Sequence, residues 1–225
     1  MCTAVSVILK DHYFGRNLDL EYHYNEEVVI TPRNYPYIFR ALSALENHYA
    51  IIGMATVANG YPLYYDATNE HGLSIAGLNF PDNAVYLPVD DSQNNIAPFE
   101  FIPWILCQCK SVDEALLKLL DLRVAAIAFS EEFNLTPLHW IIADQNRCIT
   151  VEPVRNHLAI YENSVGVLSN NPPFFYHLEN LKNYTHLSPN EPIGSQWINA
   201  KPASFGTGAI GLPGDFSSVS RFIRA

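Results

Sequence analysis

An α+β fold of two sheets with helices packed outside them is predicted by three features of this 225-residue sequence. Short β-type runs broken by turn residues fill the chain from Cys2 to Asn79. A helical block follows, and Ser111-Val-Asp-Glu114 supplies a capping box in front of Ala115–Leu122. β-type runs then resume between Val124 and Ser169. Strand blocks on either side of a helical block suit layered antiparallel sheets, not alternating βαβ units.

The first block contains Cys2–Leu9, Tyr13–Asp19, Glu27–Thr31, Tyr49–Val57, Pro62–Thr68 and Leu73–Asn79. Lys10-Asp11, Pro32-Arg33-Asn34, Ala58-Asn59-Gly60 and Asn69-Glu70-His71-Gly72 supply turn chemistry between them. Asp82–Asn95 reads as a polar loop, and Pro98 opens an apolar helical stretch over Phe99–Leu106. The second strand block is Val124–Phe129, Leu138–Asp144, Cys148–Val154, His157–Tyr161 and Val165–Ser169, with tight turns at Gln145-Asn146-Arg147 and Arg155-Asn156. Phe174–Asn183 is helical after Pro172-Pro173, and Tyr184–Gly214 is Pro/Gly/Asn-rich without periodicity. Ser217 or Ser218 caps a last amphipathic helix over Val219–Ala225 that has no stop signal, so the sequence reads as ending inside an element.

Composition narrows function. Hydrophobic residues are 48% and charged ones 16%, enough apolar surface for a core and against disorder. A formal charge of −10, with 13 basic residues and no run of them, would be repelled by a phosphate backbone or an anionic membrane surface. Neither nucleic acid nor a membrane is therefore an expected partner. Phe101–Cys109 is too short to span a bilayer, and Cys2–Leu9 lacks a basic leader, so a cytoplasmic location is expected. The unevenly spaced Cys2, Cys107, Cys109 and Cys148 read as free thiols.

Cys2 is the residue most suggestive of chemistry. A methionine before a small side chain is normally removed, which leaves this thiol on the first residue. There an α-amine of pKa near 8 can accept the proton of a thiol of pKa about 8.5. An inert chain end is the commoner meaning of Met-Cys taken alone. A two-residue turn at Lys10-Asp11 would set Cys2 opposite Asp19, whereas strict alternation turns Arg16 to the other face unless the strand bends near Asn17. Asn79, Asn170 and Arg221 are polar where apolar residues are expected, and the two amides could serve a developing oxyanion or simply cap turns.

Other signals are weaker. Gly206-Thr-Gly208-Ala-Ile-Gly211 matches a dinucleotide fingerprint, but Leu212-Pro213-Gly214 blocks the helix that must follow, so no nucleotide is expected. Cys107 and Cys109 point apart in an apolar stretch and lack a histidine pair, so no metal is expected there. His139 reads as a core histidine before it reads as half of a Cys–His dyad.

Six stretches, in order along the chain, carry a resemblance. They are Met1-Cys-Thr-Ala4, Phe14-Gly-Arg-Asn-Leu-Asp19, Ala76-Gly-Leu-Asn-Phe-Pro81, Leu138-His-Trp140, Val167-Leu-Ser-Asn-Asn-Pro172, and Gly211-Leu-Pro-Gly-Asp-Phe216 with Ser220-Arg-Phe-Ile-Arg224. Together they resemble the choloylglycine hydrolases, the bile salt hydrolases and penicillin V acylases among the N-terminal nucleophile hydrolases. The resemblance implies a four-layer αββα sandwich and cofactor-free amide hydrolysis through a Cys2 thioester. It makes Arg16 and Asp19 the flanking charges, Asn79 and Asn170 the oxyanion pair, and Arg221 the second site arginine. Asn79 in Gly-Leu-Asn-Phe-Pro resembles the bile salt branch. The implied substrate is then a glycine- or taurine-conjugated bile salt, bound near Leu18, Tyr61, Phe129 and Phe133. A penicillin V acylase is the alternative. Tyr184–Gly214 resembles the loop that assembles the family's tetramers, and residues 1–225 read as one catalytic domain. Family members continue past the position of Ala225, so a shortened, silent relative that only binds or assembles is a further reading.

Overall fold

Alternation along the central strands sets the layers. In β9 (Leu138–Ala143), Trp140 and Ile142 pack on one side of the sheet and Ile141 on the other. In β6 (Ser74–Asn79), Ile75 takes the first side while Ala76 and Leu78 take the second. A strand that is apolar on both faces must be covered on both faces. The computed structural model, which describes residues 1–155, 157–191 and 204–225, shows what covers each.

These two strands lie inside a seven-stranded antiparallel sheet. It also contains β3 (Glu27–Thr31), β4 (Ile51–Ala58), β5 (Tyr61–Asn69), β10 (Cys148–Val154) and β11 (His157–Glu162), in the order β11-β10-β9-β6-β5-β4-β3. α1 (Phe101–Leu106) and α2 (Val112–Leu119) cover its first face, where Trp140 stacks on Phe101 at 4.1 Å. The second face meets a three-stranded sheet of β1 (Thr3–Ile8), β2 (His12–Asn17) and β12 (Val167–Ser169), in the order β12-β1-β2. α3 (Phe174–Leu181) and α4 (Ser218–Arg224) bring Phe174 and Phe222 into that second core. The layers are therefore helix, sheet, sheet, helix, the αββα arrangement that the resemblance implies. Gly166 lets β12 approach β1: its φ is 68°, and a Cβ there would lie 2.1 Å from the Ser6 carbonyl oxygen.

Some expectations needed correction. The β1–β2 turn holds three residues, Leu9–Asp11, and Ile8 pairs with His12. A two-residue hairpin turn needs positive φ, which neither Lys10 nor Asp11 adopts. The register therefore slips by one: Thr3 faces Asn17, Ala4 faces Arg16, and Asp19 comes level with Met1 instead of Cys2. β2 ends at Asn17, not Asp19. The capping box is half formed, since Ser111 Oγ accepts from Glu114 N at 3.3 Å while the Glu114 carboxylate accepts from Lys110 N at 2.7 Å. Asn94–Ile96, read as loop, forms β7, which pairs in parallel with β8 (Leu122–Val124). β8 is shorter than the expected Val124–Phe129 because the chain leaves the ladder at the Leu87–Ala125 bridge. Pro98–Glu100 is a 3₁₀ turn leading into α1. Asn156, in the expected Arg155-Asn156 turn, and 192–203, in the predicted assembly loop, lie outside the described residues.

Candidate active site

Cys2 is buried, at 4% exposure, because it shares a strand face with Ala4 and packs beside Ala76, Leu78 and Ile141. Antiparallel pairing of Thr3 with Ser169 sets the residue before Thr3 against the residue after Ser169, so Asn170 arrives beside Cys2. The Asn170 side-chain oxygen accepts from Cys2 N at 2.8 Å and from Arg221 Nη2 at 2.9 Å. Its amide nitrogen donates to the Asn79 carbonyl at 2.8 Å. Arg221 Nη1 donates to the Cys2 carbonyl and to Thr3 Oγ1. Four predicted residues, Cys2, Asn79, Asn170 and Arg221, thus meet at one end of the two-sheet interface.

α4 aims Arg221. Ser217 caps the helix by accepting from Ser220 N at 3.3 Å, and Phe222 is buried against the His177 ring at 4.6 Å. Asp215 fixes the approach, accepting from Ser217 N at 2.8 Å and Ser220 Oγ at 2.6 Å. Hydrogen bonding from the Ser217 side chain, with Ser220 Oγ and Ser217 N, holds its carboxyl well below the usual carboxylate range. Burial lowers the Arg221 pKa, while Cys2 and Asp19 act in the opposite direction.

The other two predicted charges point differently. Arg16 is nearly buried and turns to Asp66 on β5, with Nη1 3.5 Å from Oδ2, and to the Tyr65 carbonyl at 3.4 Å. Burial raises the Asp66 pKa against the pull of Arg16. Asp19 engages the chain end: the Met1 ammonium donates to its carbonyl at 2.7 Å and lies 3.3 Å from Oδ2.

Of the predicted substrate contacts, Leu18 packs with the cluster around Cys2. Tyr61, Phe129 and Phe133 form a separate aromatic group with Phe99: Tyr61 to Phe129 is 5.8 Å, and Phe129 to Phe133 is 6.1 Å between centroids. The Arg40 guanidinium lies over Phe129 at 5.6 Å. A cavity of about 500 Å³ lined by His12, His71, Lys110 and Asp144 includes none of these residues.

The remaining thiols sit in another environment. Burial pushes Cys109 and Cys148 up to about 12 and Cys107 higher still. Among the described residues, no group of His, Cys, Asp or Glu side chains is placed to hold a metal, and no helix is long and apolar enough to cross a membrane. Within Gly206–Gly211 the chain forms a 3₁₀ turn at Thr207–Ala209, and no helix starts directly after it, since α4 begins only at Ser218.

Sequence reasoning missed Asp66, Glu152 and His177. Glu152 had a signal, a lone acid in the apolar run Ile149–Val154; His177 had none.

The model of the linear amide C–N hydrolases, choloylglycine hydrolase family, matches residues 2–225. A bile salt hydrolase/transferase of Lactiplantibacillus plantarum is 51% identical over 227 aligned positions, covering 100% of this chain and 70% of that protein. A bile salt hydrolase/transferase of Clostridium perfringens is 39% identical over 233 aligned positions, again covering 100% of this chain and 70% of the relative. The crystal structure of a mutant conjugated bile acid hydrolase from Clostridium perfringens superposes with a TM-score of 0.91 at 37% identity, covering 100% of this chain and 70% of that one. A penicillin V acylase from Agrobacterium tumefaciens shares the fold, with a TM-score of 0.73 at 18% identity over 99% of this chain and 63% of its own.

Proposed function

The chain belongs to the choloylglycine hydrolase family of linear amide C–N hydrolases, and from that membership we propose that it cleaves the amide bond of glycine- or taurine-conjugated bile salts. The observation that carries the reading is Cys2 itself. It is a buried thiol one residue from the chain start, with its main-chain nitrogen held on Asn170 at 2.8 Å beside Arg221.

Removal of Met1 turns that nitrogen into an α-amine. The amine takes the thiol proton, and the thiolate adds to the substrate carbonyl. Negative charge then develops on the carbonyl oxygen, where the side-chain amides of Asn79 and Asn170 act as donors. One Asn170 N–H already goes to the Asn79 carbonyl, which leaves the other for the oxyanion. As the C–N bond breaks, the α-ammonium protonates the departing glycine or taurine. Water, deprotonated by the same amine, hydrolyses the thioester and frees the bile acid. Arg221 fixes the Cys2 carbonyl, so the nucleophile's backbone cannot drift while bonds change. Asp19, which grips the Met1 ammonium, takes the role of partner to the new one in this reading. Arg16 keeps the role of second flanking charge only as the family resemblance implies it, since its guanidinium turns to Asp66.

Bile salts are favoured over penicillin V because the relatives named for bile salts are 39–51% identical, whereas the acylase shares the fold alone. The apolar steroid would lie on Leu18 and the aromatic group of Tyr61, Phe129 and Phe133. The same reading makes residues 1–225 one catalytic domain, of a cytoplasmic homotetramer. Amine release from glycocholate, taurocholate and penicillin V, assayed in parallel, tests it. Glycine or taurine release faster than penicillin hydrolysis, lost in Cys2→Ala, is expected. Unchanged turnover in Cys2→Ala would overturn the nucleophile, and preference for penicillin would overturn the substrate.

A further inference from the structure

Behind the site, three fully buried titratable side chains meet: His139 on β9, Glu152 on β10 and His177 on α3. Glu152 Oε1 accepts from His139 Nδ1 at 3.0 Å and from Phe174 N, the first residue of α3, at 2.9 Å. One turn along α3, His177 Nε2 lies 3.0 Å from the Asn170 carbonyl oxygen. A carbonyl only accepts, so Nε2 carries the hydrogen and donates. The His139 ring also stacks on Phe80, the neighbour of Asn79, at 4.2 Å. Both amides assigned to the oxyanion are thus backed by this cluster.

A packing role would be met more cheaply by apolar side chains, because taking a carboxylate and two imidazoles out of water is costly. Here the resulting bonds converge on the Asn170 segment. Ser169 Oγ, one residue earlier, donates to the Ser218 carbonyl at 3.0 Å and so ties the same segment to the helix of Arg221. We propose that His177 and Glu152 are positioning residues for Asn170: Glu152 seats α3 on the sheet, and His177 grips the Asn170 main chain from behind, fixing the side-chain amide over Cys2. The proposal rests on the oxyanion role given to Asn170 above. Burial holds His177 below its ordinary pKa and so keeps the imidazole neutral, with the single N–H that this bond needs.

Glutamine and methionine have similar length, but only glutamine can replace the Nε2–H donor, so His177→Gln and His177→Met form the test. With glycocholate, kcat of the Met variant should fall about 100-fold at nearly constant KM, as an ångström-scale misplacement does. The Gln variant should stay within about threefold of the parent, with both melting temperatures alike. Equal kcat in the two variants, whether lowered or unchanged, overturns the proposal. Crystal structures of the pair keep the two readings apart. If the parent chain releases no amine, the bile salt reading fails, yet the clamp is still judged by whether Asn170 Oδ1 keeps its 2.8 Å contact with Cys2 N in the Gln variant and loses it in the Met variant. Retention in both overturns it. Glu152→Gln against Glu152→Met repeats the comparison from the other end, should the His177 variants not fold.

Discussion

On the helix-covered face of the seven-stranded sheet, Ile105, Leu106, Ile142, Ile149 and Val151 surround the Trp140–Phe101 stack. Buried polar groups on that side hold the backbone around α1: Asn69 donates to the Leu106 and Cys109 carbonyls, and Glu100 accepts from Ala97 N and Arg40 N. On the opposite face the core is smaller and holds Cys2, Ala4, Leu168, Phe174 and Phe222. The polar groups there reach across elements, linking β12 to α3, α4, β6 and the chain start. One face closes the fold, and the other combines burial with a set of aimed hydrogen bonds. A site grows where two layers meet at the ends of several strands, because only there do residues far apart in sequence present polar ends to one point.

The comparison can be broken by moving stability and activity separately. Trp140→Ala should cost about 3–5 kcal/mol in urea denaturation while kcat per folded molecule stays within about twofold. A matching collapse of kcat would mean the two faces are not separable. Asn170→Ala should do the reverse, lowering kcat about 100- to 1,000-fold through the lost oxyanion donor. Its melting temperature should move less than that of Trp140→Ala, and an equally large drop would make Asn170 a structural residue.

A smaller effect sharpens the contrast through pH. Burial depresses the His177 pKa below its ordinary 6.5, so below that pH the unfolded chain takes up a proton that the folded chain refuses. Stability should therefore fall as pH drops below about 6.5, and His177→Gln should remove that part of the slope. Urea midpoints at two pH values on either side measure it. Parallel losses in parent and variant would show that the site-side histidine is not linked to folding.

Much of this was legible in the sequence. β-type runs bounded by turn residues at Leu73–Asn79 and Leu138–Asp144, and the helical spacing after Ser111, placed the core strands and α2, because local pattern reports burial directly. Cys2 stands out as a thiol behind a removable methionine, and Asn79, Asn170 and Arg221 as polar residues where apolar ones are expected; the fold gathers them. The partners of Arg16 and the Glu152–His177 cluster were not legible, since they depend on which strands neighbour each other in space. The β1–β2 register was missed for a local reason: neither Lys10 nor Asp11 adopts the positive φ that a two-residue turn requires, and a three-residue turn forms instead. β7 was missed because a three-residue parallel strand carries no period of its own.

The most direct test of the nucleophile is a mass measurement on the chain mixed with glycocholate and quenched in acid. The account predicts an amino-terminal peptide that begins at Cys2 and carries the cholyl group as a thioester, with Cys107, Cys109 and Cys148 unmodified. A turning-over chain that retains Met1, or a cholyl adduct on any other cysteine, would contradict it.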